Sequence, residues 1–148
     1  PKLAQFVHDY KRANPETDVR LISNSLGSEV LFSALSTLHS SGLDDVVSTA
    51  TVLGGATNAD AVCEGGRYAE GMGAADEVHN YWMEKDGTLN YLYRSVESED
   101  AVGGTGSDGE PPDNYLDHEV RDVPDHYSYY RKSKGCVERF LSDVGAIS

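Results

Sequence analysis

A serine, an aspartate and a histidine, each following a strand-like segment, are the residues whose types and order could do chemistry. Ser25 closes the extended part of RLISNSLGSEVLFSAL, residues 20–35, where the pattern turns at once into a helical one. Asp86 follows EVHNYWME, and His126 follows YLDHEVRDV. A neutral serine hydroxyl is a weak nucleophile and needs a base at hydrogen-bond distance. An imidazole can take that proton and return it to a leaving group. A carboxylate behind the imidazole fixes its tautomer and steadies its positive charge. The set therefore points to nucleophilic catalysis by the serine if the fold brings the three together. Each residue also has a plainer reading. Ser25 could be a helix N-cap, a role serine favours and Ser28 could share. Asp86 could be a turn residue before Gly87, and His126 an exposed loop histidine.

The elements that must position them can be read in order. Leu3, Phe6, Val7 and Tyr10 share one face of an amphipathic helix. Pro15 ends it by disfavouring the helical conformation at Asn14. Residues 19–23 read as a short buried strand. Residues 25–42 read as a helix with Leu26, Val30, Ala34 and Leu38 in one row and Gly42 as its stop. A β-branched run over 44–57 predicts a second strand ending in Gly54-Gly55. Residues 59–76 predict a loop with a short helix. Residues 77–84 predict a third strand, 88–96 a helical turn or two, and 97–114 a long polar loop. Residues 115–123 predict a fourth strand. The chain closes with a helix carrying Val137, Phe140, Leu141 and Val144. Strands alternating with helices predict an α/β fold of three layers, α/β/α, with a mostly parallel sheet. In such a sheet functional groups gather beyond the carboxyl ends of the strands. The segments there supply Ser25, then Gly54 to Thr57, then Glu84-Lys85-Asp86, then Asp125-His126.

The elbow Ser23-Asn24-Ser25-Leu26-Gly27, with an acid and then a histidine after later strands, resembles the α/β-hydrolase superfamily. It is most similar to the esterase- or lipase-like branch whose elbow reads GHSLG. The resemblance runs from about Arg20 to the C-terminus and covers the C-terminal portion of that fold. It implies one α/β-hydrolase-like domain over 1–148, minimal or truncated, with N-terminal strands lacking. It implies a serine hydrolase that cleaves an ester or similar acyl bond of a small molecule, without a cofactor. Ser25, Asp86 and His126 would form the catalytic triad. The backbone N–H of Leu26 would be one oxyanion donor, and Gly27 would keep bulk away from the bend. Ser23 stands where the family has glycine, and Asn24 where it commonly has histidine. No HGGG-like stretch provides the family's second oxyanion donor. An upstream segment or a partner chain is expected to supply it and to complete the sheet. The alternative is a weak or inactive hydrolase-like module that binds a partner or ligand, with an open strand edge near 19–23.

Charge narrows the partners. Asp plus Glu number 25 against 12 Lys plus Arg, a net charge of −13. Nucleic acid needs a basic face, so it is excluded as a partner. Anionic membrane surfaces are disfavoured as well, and no apolar run reaches spanning length. The acids are spread along the chain, as in proteins of a high-salt cytoplasm, where salt screens the self-repulsion. Cys63 and Cys136 show no metal spacing and read as small buried or free thiols. No zinc or calcium spacing occurs. His118 is the rival base, expected at the start of the last strand and so at the wrong end. His79 reads as structural, and His8 and His39 lie on helices away from the rim. Asp60 is the substitute acid, ahead of Glu84. GTGSDG, residues 104–109, matches a nucleotide-loop pattern but leads into prolines instead of a helix, so a mobile loop is expected. Trp82, Tyr91 and Tyr93 are expected in the core. Some of Tyr127, Tyr129 and Tyr130 are expected beside His126.

Overall fold

β-Branched and small apolar residues dominate the run that forms the most buried strand, β2 (Val47–Leu53). It pairs with β3 (Ala75–Trp82) on one side and β1 (Arg20–Asn24) on the other. β4 (Tyr115–Glu119) completes a four-stranded sheet in the order β1-β2-β3-β4, and every pair is parallel. These observations come from a computed structural model describing residues 2–146. Parallel pairing demands long crossovers. The first is α2 (Gly27–Ser40), the second includes a 3-10 turn (Glu70–Ala74), and the third runs through several short helical turns.

Strand alternation divides the core between the two faces. Ala50, Val52 and Val78 pack with Ala4 and Val7 of α1 (Lys2–Ala13) and with Leu31, Phe32, Leu35 and Leu38 of α2. Leu53 and Tyr81, on the opposite face, pack with Phe140 of the C-terminal helix, residues 137–143. Helices therefore cover both faces of a parallel sheet, an α/β arrangement compatible with three layers. Among the described residues, no helix is long and apolar enough to cross a membrane.

Several boundaries differ from the sequence reading. β2 stops at Leu53 because Gly54 turns with φ +55°. β4 stops at Glu119, so His118 lies near its carboxyl end and not at its start. The stretch over 97–114 is not simply a polar loop. A π-helical turn (Thr88–Tyr93) runs into α3 (Arg94–Glu97), and α4 (Val102–Thr105) follows with Val102, Gly103 and Gly104 buried. Only a bare backbone fits there. A Cβ on Gly103 would lie 2.3 Å from the carbonyl carbon of Gly54. Gly103 N–H instead donates to Gly55 O at 2.9 Å, and Met83 N–H donates to Gly103 O at 3.0 Å. The GTGSDG segment is tethered: the backbone N–H and hydroxyl of Ser107 both donate to Asp117. Tyr91 is 79% exposed and is not core. Trp82 and Tyr93 are half-buried. The C-terminal helix, labelled α5, carries Val137, Phe140 and Leu141 as expected but ends at Asp143, leaving Val144 as its C-cap.

The sheet face under α5 holds a histidine pair. His79 Nε2–H donates to Glu77 at 3.0 Å, so its Nδ1 accepts from His118 Nε2–H at 2.9 Å. His118 also stacks on Tyr81, whose hydroxyl donates to Asp143. Burial, and then the neighbouring His79, lower the His118 pKa from its ordinary value. The unfolded chain therefore binds the extra proton more readily, and stability falls as pH drops through the ordinary histidine range. Urea unfolding at stepped pH should show this loss, and His118→Gln should flatten it. An unchanged slope in the variant would refute the assignment. Gly103→Ala should lower the unfolding free energy by about 3 kcal/mol or more, read in the same assay.

Candidate active site

The turn from β1 into α2 holds Ser25 in a conformation that L-residues avoid. Its φ is +53°, and such a left-handed residue costs about 1–2 kcal/mol when it is not glycine. Four hydrogen bonds hold it there. Ser25 N–H donates to Leu53 O at 3.1 Å. Its carbonyl accepts from Ser28 N–H at 3.1 Å, Ala56 N–H at 3.1 Å and Ser28 Oγ at 2.8 Å. Ser28 spends its proton on that carbonyl, so it accepts from Thr57 Oγ at 2.8 Å. Both hydroxyl residues are fully buried. Neither serine caps α2, whose N-cap position is Leu26 without a side-chain bond. Ser23 and Gly27 face each other across the elbow without crowding. A Cβ on Gly27 would lie 3.4 Å from the Ser23 Cβ.

The structure brings the three sequence-selected side chains together. Ser25 Oγ lies 2.8 Å from His126 Nε2, and His126 Nδ1 lies 2.7 Å from Asp86 Oδ2. A carboxylate can only accept, so the Nδ1 proton faces Asp86 and the Nε2 lone pair is left for the Ser25 hydroxyl. Asp86 is 0% exposed and His126 only 3%. The second oxygen of Asp86, Oδ1, accepts from Leu89 N–H at 3.1 Å. Ser25 itself is half-buried. A shielded, low-dielectric carboxylate behind an imidazole strengthens that bond.

The loop after β4 aims the imidazole. Asp125 Oδ1 accepts from Tyr127 N–H at 2.9 Å and Ser128 Oγ at 2.8 Å, an Asx-type turn that reverses the chain around His126. The Leu26 N–H donates to no group among the described residues and stands beside the Ser25 hydroxyl in sequence. The Leu26 side chain is 68% exposed. Tyr127 is 61% exposed and meets the His126 ring edge-on at 5.3 Å.

The rivals lie elsewhere. His118 bonds to His79 and not to Ser25, so its direction excludes it, not its end of the strand. His39 pairs with Asp44, and His8 with its neighbour Asp9. Asp60 and Glu84 are exposed and do not reach His126. Tyr130 is exposed, while Tyr129 is fully buried behind the site. Sequence reasoning missed the Ser28–Thr57 clamp and the turn that Asp125 makes. The D-x-Y-S spacing was a signal for the latter; buried hydroxyl pairing left none. Cys63 and Cys136 are free and buried, and burial pushes the Cys136 thiol up to about 11. Among the described residues, no cluster of three His, Cys, Asp or Glu side chains is placed to hold a metal ion. Compared with protein-family models, curated proteins and solved structures, the chain matches none of them.

Ser28→Ala removes a bond to the strained carbonyl and strands Thr57. Urea unfolding should show a loss of about 1–3 kcal/mol; a neutral substitution would show that the clamp does not hold the elbow.

Proposed function

We propose that the chain is a serine hydrolase of the α/β-hydrolase type, acting on an ester or similar acyl bond. The observation that carries this reading is the continuous hydrogen-bonded chain Ser25–His126–Asp86, ending in a serine at a strained strand-to-helix turn. Ser25 Oγ attacks the acyl carbon while its proton passes to His126 Nε2. Asp86 holds the imidazolium that forms. The tetrahedral oxyanion takes a hydrogen bond from Leu26 N–H, in the place the residue after the nucleophile occupies in this chemistry. Collapse expels the alcohol, which leaves with the proton from His126. Water then repeats the sequence on acyl-Ser25, releases the acid and restores the serine. No cofactor enters these steps. The acidic surface, with net charge −13, fits work in a high-salt cytoplasm on a neutral small-molecule substrate.

A second reading is binding through the sheet edge. β1 stands at one end of the strand order, and Ile22 on it is 57% exposed close to Ser25. A further polypeptide segment paired there would cover that edge and could carry a second oxyanion donor. One missing donor lowers kcat about 10²–10³-fold, so the two readings are linked. Sedimentation in high salt tests pairing between copies: self-association supports it, and a clean monomer removes it.

A fluorophosphonate probe should label the folded protein once, at Ser25, and Ser25→Ala should abolish the labelling. Asp86→Asn should slow hydrolysis of a p-nitrophenyl ester about 10³–10⁴-fold. A folded protein that neither labels nor turns over such esters would overturn the hydrolase reading.

A further inference from the structure

Behind His126 lies a tyrosine that the steps above do not use. Tyr129 is 0% exposed. Its hydroxyl is 3.5 Å from Asp86 Oδ2, the oxygen that also holds the imidazole, and 3.5 Å from Gly103 O. Its ring meets that of His126 edge-on, with centroids 6.4 Å apart and planes at 83°. The seat of the ring is built from bare backbone. A Cβ on Gly54 would fall 2.7 Å from the ring. The Tyr129 backbone is fixed as well, because Cys136 N–H and Cys136 Sγ both donate to its carbonyl, at 3.0 and 3.3 Å. Burial, and then the charge of Asp86, raise the phenol pKa well above its ordinary value. The group therefore stays a neutral donor across the working range of pH.

We propose that Tyr129 is a positioning residue: its buried hydroxyl, caught between Asp86 Oδ2 and Gly103 O, fixes the carboxylate against His126 Nδ1. A phenol has one proton to donate. With Asp86 Oδ2 and Gly103 O each 3.5 Å away, that one proton is directed between them. Gly103 O is itself anchored by Met83 N–H, three residues before Asp86. One hydroxyl thus ties the acid-bearing loop, the 102–105 turn and the histidine-bearing loop together. The kinetic consequence rests on the hydrolase reading, but the effect on the imidazole does not.

The test is Tyr129→Phe, which keeps the ring in its seat. Long-range 1H–15N spectra report the Nδ1 and Nε2 shifts of each histidine. The His126 shifts should move in the variant while those of His79 and His118 stay in place. With ester substrate, kcat should fall about tenfold with KM unchanged, the size of one lost hydrogen bond. Unchanged His126 shifts would overturn the proposal, and so would equal movement at all three histidines, which would signal general loosening. Should Tyr129→Phe fail to fold, site-specific 3-fluorotyrosine at this position keeps ring and hydroxyl. It makes the phenol a stronger donor, and His126 must then shift in the opposite sense to support the proposal. If the wild-type protein hydrolyses nothing, the function reading fails and the spectra alone decide the role of Tyr129.

Discussion

A carboxylate removed from water must find donors, and Asp86 finds them in two segments, its own following turn and the loop after β4. Leu89 N–H meets one oxygen, and His126 Nδ1–H and the Tyr129 hydroxyl meet the other. Without such donors the carboxylate would be an unpaired charge in a place of low dielectric, at a cost of several kcal/mol. This requirement reaches outward. His126 can bond Asp86 only if the loop after β4 folds back across the end of the sheet. That loop turns on Asp125 and is anchored through Tyr129 and Cys136 to α5. The imidazole is then left with a single direction for its free nitrogen, and that direction is Ser25.

The serine end answers a different constraint. A left-handed serine is disfavoured by about 1–2 kcal/mol, which is comparable to a single hydrogen bond. Three donors on one carbonyl, plus the bond from its own N–H, outweigh that cost. The buried Ser28–Thr57 pair makes the arrangement local and stiff. Beneath both ends lie Gly54, Gly55 and Gly103, whose missing side chains let the 54–55 and 103 backbone segments touch. The strand ends, the clamp and the glycine contacts therefore form one rigid rim. A rim of that kind suits a site whose reacting atoms must hold their spacing within fractions of an ångström.

Much of this was legible from the residues in order. β2 could be read because VSTATVL is β-branched and uninterrupted. α2 could be read from its helical spacing, but its buried face was not: of Leu26, Val30, Ala34 and Leu38 only the last two are buried, and Leu31 and Leu35 face the core while Leu26 and Val30 face solvent. Ser25, Asp86 and His126 were legible because parallel strands deliver their following loops to one rim. What the sequence hid was of two kinds. The first was small-residue packing: VGGT over 102–105 reads as loop by propensity, yet its glycines make it buried helix against Gly54 and Gly55. The second was direction. Tyr129 and Tyr130 are alike in type and adjacent, and only the turn at Asp125 sends one into the core and the other to solvent. Tyr91, expected inside, faces out because the π-helical turn changes which face each residue takes.

The convergence of Asp86 and His126 can be weighed without any substrate. A double-mutant cycle of Asp86→Asn and His126→Phe, read as urea unfolding free energies in high salt, isolates their coupling. A buried, charge-assisted bond should give about 1.5–3 kcal/mol. Free energies that add to within about 0.5 kcal/mol would mean that the two side chains never meet, and the rim built on them would fall.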